Sequence, residues 1–239
     1  MKKSKYFLLA VFVLVFVNNA ITQSRNNPFI LYSKKKLSYF MLKNGKEMQG
    51  YIKNYDSYKG FIENITFIDK NGKRHKIDAK DINRMYLFPS IAGKLIFACE
   101  YVKEPSLDPG DDNIIITQSN GYVLFESTEV YLKEREGKKK HFLLPLLNPS
   151  YSDKIKIFPD PEAYTVSSTK VIGITTKKVL SSYYVKKGDQ PAYKITKWNF
   201  KNIYKELFKG HNELENMHKP KWSKFKEYVF QYTVNSKEL

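Results

Sequence analysis

From Leu37 onward, apolar and polar residues alternate in short runs, and the runs stop at turns rich in glycine and asparagine. Alternation with period two sends every second side chain to one face, so these runs predict half-buried strands. Leu37–Lys43 and Lys46–Tyr55 flank Asn44-Gly45. That pair predicts a hairpin with a type I′ turn, in which both central residues have positive φ. The runs "NITFID" and "RHKID" flank Lys70-Asn71-Gly72, with Ile65, Phe67 and Ile77 on one face. Asp81 is expected to cap a short turn before a strand reaching Phe88, and "KLIFACEYV" reads as a further strand. Five or six short antiparallel strands at this spacing fit a small SH3-like or Sm-like barrel, or a curled sheet.

The turn-rich stretch "EPSLDPGDDN", Glu104 to Asn113, is the expected internal boundary. Strands resume with "IIITQ" and "YVLFE", joined by Ser119-Asn120-Gly121. "EVYLKER" and "KHFLLPLL" flank a turn at Gly137 and Lys138-Lys139-Lys140, and Pro145 makes the last strand an edge or interrupts it. "LLNPSYSDKIKIFPDPEAY" reads as an irregular crossing segment. "KVIGITTKKVL" and "SSYYVKKGDQPAYKIT" predict further strands, the second with a turn at Lys187-Gly188-Asp189. The period then changes. Phe200, Ile203, Tyr204, Leu207 and Phe208 form one face of a helix, with Asn199 as N-cap and Gly210 as its stop. A second helix is expected from Pro220 to Thr233, with Trp222, Phe225, Tyr228, Val229 and Tyr232 on one side. Aromatic stripes at this spacing predict packing against the sheet. The expected class is α+β, mainly antiparallel β. Its organisation is a signal peptide over 1–24, a leader arm over 25–36, a small β barrel or sheet over 37–103, a second β segment over 113–195, and a helical pair over 199–234 packed on the β region.

The N-terminus changes the setting in which these elements are read. Lys2, Lys3 and Lys5 precede an uncharged apolar run, Phe7 to Val17, and then polar residues. This is the three-part pattern of a secretory signal peptide. The run is shorter than the roughly 20 residues that span a bilayer. Export to the periplasm or cell surface is therefore expected, with no transmembrane span in the mature chain. The net charge is +17, and loss of the three leading lysines leaves +14. In the cytosol such an excess would suggest nucleic acid. Beyond the inner membrane, anionic glycans, lipid headgroups and envelope proteins compete for it. The lone cysteine, Cys99, cannot form an internal disulfide and sits in an apolar run, so it reads as a small buried hydrophobe.

Two resemblances bear on the fold. The stretch "LKNGKEMQGYIKNYD" resembles the first half of an Sm-like barrel, with Leu42, Gly50, Ile52 and Asp56 on that family's pattern. The RNA-contact Asn expected soon after Asp56 is missing, since Asn64 comes too late, and "INRMYLF" has Arg84 but no following glycine. The resemblance implies a strand arrangement only. "LKNGKEMQGYI", "ITFIDKNGKRHKIDAKDI", "LLNPSYSDKIKIFPDP", "YYVKKGDQPAYKI" and "KPKWSKFKEYVFQY" together resemble an uncharacterised exported protein family of Bacteroidetes-type bacteria. That resemblance implies location and build, and carries no activity.

Catalytic patterns are poor. There is no G-x-S-x-G, no H-E-x-x-H and no glycine-rich phosphate loop. His211 and His218, with Glu213 or Glu215, make a thin zinc case, and "DPGDDN" lacks the order of a calcium loop. No catalytic, cofactor-binding or metal-binding residue is assigned, and no cofactor is expected. The preferred reading is a non-enzymatic binding or accessory protein that turns a basic surface toward an anionic partner. Lys138, Lys139, Lys140, Lys186 and Lys187 are the candidate contacts. The alternative is an envelope-directed hydrolase with an unlocated acid pair; Glu100 or Glu104 with Asp108 could mimic one, as could other pairs among 24 acids. Nucleic-acid binding ranks last.

Overall fold

The computed structural model describes residues 32–90, 121–133, 137–171, 174–180 and 182–234. The apolar N-terminal run, Cys99, the strand expected at "KLIFACEYV", the Asp108–Asn113 loop and the Glu100, Glu104 and Asp108 acids lie outside these residues. The described chain is mostly antiparallel β, with a large curled sheet and few helices. The first sheet holds β1 (Ser38–Leu42), β2 (Glu47–Tyr58), β3 (Phe61–Asp69), β4 (Arg74–Asp78), β5 (Ile82–Leu87), β6 (Val123–Lys133) and β7 (Lys138–Pro145). Its order is β2-β1-β5-β6-β7-β3-β4, and β2 also pairs with β3. The pairings thus return on themselves, closed through the bridge between Ile62 and Leu143.

Curling follows from the way one strand serves two partners. β2 pairs with β1 from Gly50 opposite Ser38, and with β3 from Gly50 opposite Asp69. A side chain at Gly50 would meet the carbonyl oxygen of Ile68 and, at 2.5 Å, Cδ2 of Phe67. Only glycine allows this approach, and it seats Phe67 against Phe40 in a stack with centroids 4.3 Å apart. Inside the curl, Phe40, Ile52, Ile65, Phe67, Met85, Leu87, Val123, Phe125 and Leu143 form one buried cluster, with Ile77 packed against it.

The turns depart from expectation in one respect. Gly45 has φ +81, but Asn44 does not share the positive φ that a type I′ turn requires. Instead Gly45 N donates to Leu42 O at 3.0 Å and Leu42 N to Lys46 O at 2.9 Å, while Asn44 Oδ1 accepts from Lys46 N at 3.0 Å. This is a three-residue loop with glycine in the left-handed position. Asp69-Lys70-Asn71-Gly72-Lys73 repeats it, with Gly72 at φ +80 and Asp69 Oδ1 accepting from Asn71 N and Lys73 N. Positive φ at both central residues is found at Lys59-Gly60, φ +50 and +84, between β2 and β3. Asp81 ends a 3-10 turn over Ala79–Asp81, whose N-cap is Asp78 with no side-chain cap bond; Asp81 offers its carbonyl to Lys43 N instead.

The sheet continues across the expected internal boundary. β5 pairs with β6, Met85 opposite Phe125, so residues 123–145 share a sheet with 38–87. Residues 123–126 and 129–133 of "YVLFE" and "EVYLKER" lie in one strand, β6, because no turn-forming residue interrupts them. The leader arm is held at its end. Tyr32 bridges Pro89 and is buried with its ring edge on Phe125 at 5.1 Å.

The crossing segment contains structure that its prolines obscured. Pro149–Tyr151 is a 3-10 turn and Ile155–Pro159 is a strand, β8. β9 (Tyr164–Val171) and β10 (Ile174–Leu180) form a two-stranded sheet. β11 (Ser182–Lys187) lies between β8 and β12 (Tyr193–Thr196) in a three-stranded sheet. Buried Asn148 holds the crossing: its Nδ2 donates to Tyr151 O and Ile155 O, and its Oδ1 accepts from Ile157 N at 2.8 Å.

Three layers result. On the outer side of β6–β7, Leu124, Val130, Phe142 and Leu144 meet Phe158, Tyr184 and Ala192. The far face of the small sheet, with Ile155, Ile157, Val185 and Ile195, carries the C-terminal helices. These are α1 (Phe200–Leu207), a short α2 (Asn212–Glu215) and α3 (Phe225–Val234) after a 3-10 turn at Trp222–Lys224. Phe200, Tyr204, Leu207, Phe208, Phe225, Tyr228 and Val229 are buried there, so the two aromatic stripes are core. Asn199 occupies the N-cap position without a side-chain cap bond.

Gly50→Ala should lower unfolding stability by about 2–3 kcal/mol, the cost of overpacking against fixed backbone. Gly45→Ala, with open space around it, should cost only about 1 kcal/mol for its positive φ. Urea unfolding of the two variants checks the order; equal losses would show that β2 does not depend on the close approach.

Candidate functional site

The expected turn lysines are strand residues. Lys138, Lys139 and Lys140 open β7 and are exposed. Alternation splits them. Opposite residues share a face, so Glu129 with His141 and Tyr131 with Lys139 stand on the face that carries Phe125 and Leu143. Val130 with Lys140 stands on the other. There Lys140 Nζ reaches Glu63 Oε1 at 2.5 Å, joining β7 to β3. Lys139 Nζ lies 3.0 Å from Glu129 Oε2, and that hydrogen bond raises the Lys139 pKa.

Lys186 and Lys187 diverge for the same reason. Lys187 Nζ donates to Leu207 O at 2.8 Å and to Glu206 O at 3.4 Å. It also lies 5.0 Å from the centroid of the Tyr232 ring. A cation on the last carbonyls of α1 satisfies acceptors that the helix cannot, and opposes its negative end. Lys187 is therefore committed to holding α1 and α3 against β11. Lys186 sits opposite Lys156, whose ammonium contacts Glu126 Oε2.

His141 is the point where several of these charges meet. It is partly buried, and its Nδ1 has no hydrogen-bond partner. Burial lowers its pKa below the ordinary 6.5; the charge of Lys43 adds to this, Glu129 opposes it, and Lys186 and Lys139 lower it further. Lys43, Lys186 and Lys139, from the first hairpin, β11 and β7, thus each act on the His141 ring through their charge. Ser127 Oγ, on the same face of β6 as Glu129, is also buried without a partner. Among the described residues Lys43 and Lys186 have no ion-pair partner. Such an arrangement attracts an anion, and an imidazole with an unused nitrogen supplies an acceptor, or a donor once protonated. Sequence reasoning did not single out Lys43, Glu129 or His141 as a set, because they lie in three different strands or turns and come together only through the curl.

Other polar groups are used internally. Buried Asp160 accepts from Ser182 Oγ at 2.6 Å and from Glu162 N, and pairs with Lys194 at 2.6 Å. His211 Nδ1 accepts from Leu214 N at the start of α2, while His218 is exposed. Among the described residues no group of three or more His, Cys, Asp or Glu is placed to hold a metal ion. None of the described helices is long and apolar enough to cross a membrane.

The depressed His141 pKa has a testable sign. Between the folded value and 6.5 the unfolded chain binds a proton that the native chain does not. Native stability therefore rises with pH in that window and falls on acidification from about pH 6.5. NMR titration of the ring should give a midpoint below 6.5, moving up when inorganic phosphate is added. A midpoint at or above 6.5 in the free protein would remove the cationic cluster. Lys187→Met should cost about 1 kcal/mol in stability and leave the phosphate response unchanged; loss of that response would make Lys187 a contact rather than a cap.

Comparisons with protein-family models, with curated proteins and with solved structures find no match.

Proposed function

We propose that the chain is an exported, non-enzymatic binding or accessory protein of the periplasm or cell surface, in which a basic surface receives an anionic partner. The observation that carries the reading is the net charge of +17, with Lys43, Lys186 and Lys139 each lowering the His141 pKa through their charge. Acids would be expected among these groups if the fold alone set their charge. Glu129 answers only one of the three lysines with an ion pair. Like charges gathered in this way cost stability, and an anion arriving between them returns it. Export is supported by the lysines and the uncharged run at residues 2–17. The resemblance to exported Bacteroidetes-type proteins agrees with it.

We also read the curled sheet as a small barrel of the SH3/Sm kind. In support, β1 to β4 run as a meander, a 3-10 turn precedes β5, and β5 returns to pair with β1, Phe40 opposite Met85. The reading lends no activity, since small barrels carry many unrelated functions.

The test is binding of the purified processed protein to sulfated glycan, phosphate-bearing glycan and anionic lipid at low and high salt. The expected result is association with at least one of these, weakening at least tenfold as ionic strength rises into the range where exposed charges are screened. Lys43→Glu with Lys186→Glu should weaken it further. Failure to bind every anionic probe at low salt would sink the proposal.

A further inference from the structure

Outside the His141 cluster, one side chain stands apart from everything the fold requires. Trp198 is 91% exposed, although the chain has only two tryptophans and the other, Trp222, is packed between Phe200 and Phe225. Burying a tryptophan is among the larger apolar gains open to a fold, so leaving one in water calls for a reason. The turn that carries it is not loose. Asn199 Oδ1 accepts from Thr196 N at 2.7 Å and from Thr196 Oγ1, Asn199 N donates to Thr196 Oγ1, and Asn199 Nδ2 donates to Lys194 O. Asn199 thus spends its side chain on locking this corner, which is why it makes no cap bond to α1. The next residue, Phe200, is fully buried and fixes the other side of the turn.

The surroundings of Trp198 are basic. Lys197 precedes it, and Lys201 and Lys205 follow on α1; all three are exposed, and none has an ion-pair partner among the described residues. Lys201 and Lys205 are four apart on an eight-residue helix, where like charges weaken the helix slightly. The first turn of α1 has no acid, although its start would favour one. A rigidly displayed indole flanked by unpaired lysines matches the chemistry of an anionic bilayer surface. The indole lies at headgroup depth, and the ammonium groups meet lipid phosphates.

We propose that the β12–α1 corner is a membrane-surface anchor, with Trp198 entering the headgroup region of an anionic phospholipid bilayer and Lys197, Lys201 and Lys205 contacting its phosphates. The proposal rests on the anionic-partner reading and names one partner for a second face of the molecule. It predicts that the chain rides on the membrane through this corner, and leaves the His141 cluster free for a separate anion.

Trp222→Phe makes Trp198 the only indole and turns it into a reporter. With vesicles of phosphatidylcholine and phosphatidylglycerol, its emission should shift to the blue and be quenched by brominated lipid. With phosphatidylcholine alone it should not change. Trp198→Ala should weaken partitioning about tenfold or more, as should Lys197→Glu with Lys201→Glu. If Trp222→Phe fails to fold, the wild-type spectrum minus that of Trp198→Phe gives the same readout. Binding to vesicles with Trp198 unshifted and unquenched overturns the anchor and leaves the anionic-partner reading standing. So does binding to a sulfated glycan but to no vesicle. Equal response to neutral vesicles overturns the role of the lysines. Failure with every anionic probe removes both proposals.

Discussion

The β6–β7 hairpin is the part on which the other layers depend, because it is apolar on both faces. Val123, Phe125 and Leu143 close the interior of the curl, while Leu124, Phe142 and Leu144 face the small sheet. An antiparallel hairpin usually shows one face to water. Here each alternate residue is claimed by a different core, so the curled sheet and the small sheet are two sides of one pair of strands. The coupling extends to the edge. Past Glu126, β6 no longer pairs with β5, and its free edge is taken by Ala192, whose N donates to Glu129 O while its O accepts from Tyr131 N. The small sheet then offers its remaining face to the helices. Breaking β6–β7 would expose two cores rather than one.

The legible parts of this fold were those governed by local chemistry. Hairpins announced themselves through glycines that need positive φ, and the helices through aromatic residues at helical spacing. The less legible parts depended on partners far along the chain. Asn44-Gly45 satisfied the pattern of a type I′ turn, yet the Asn44 side chain accepting from Lys46 N made the three-residue loop the better solution. Lys59-Gly60 carried the two-residue turn and was passed over, because a lysine seldom accepts positive φ. β8 was hidden by the prolines around "KIKIF", although Ile155 and Ile157 already alternate with lysines. Its pairing with β11 shields Pro159 at the end of an edge strand, where the missing donor is harmless.

The lysines show why a count of charge is a poor guide to a site. Composition cannot separate Lys187, which finishes a helix, from Lys186, its neighbour, whose charge reaches His141. Nor can it separate Lys140, tied to Glu63 between two strands, from Lys43, which has no ion-pair partner among the described residues. Strand alternation made these assignments, because adjacent residues must face different surroundings. Of the five lysines read from the sequence, Lys139 and Lys186 act on His141 through their charge, Lys138 is exposed, and Lys140 and Lys187 serve the fold. Lys43 acts on the same ring from the first hairpin loop, and no linear pattern connects it to His141.

Charge that the fold does not consume is the common thread between the His141 cluster and the Trp198 corner. In a protein that needed its lysines only for solubility, exposed aromatic surface beside them would be a liability. Trp198 is held outward by a corner that uses every polar atom of Asn199, so its exposure is built and not residual. The two regions also differ in kind. At His141, the proposed anion would meet a partly buried ring and unpaired polar atoms, which suit a compact group. At Trp198, a single convex indole with spaced ammonium groups favours an extended surface. A single large polyanion would have to satisfy both geometries at once, whereas a bilayer and a smaller anionic group satisfy each in turn. Under the two proposals, the excess of positive charge would have two separate physical uses.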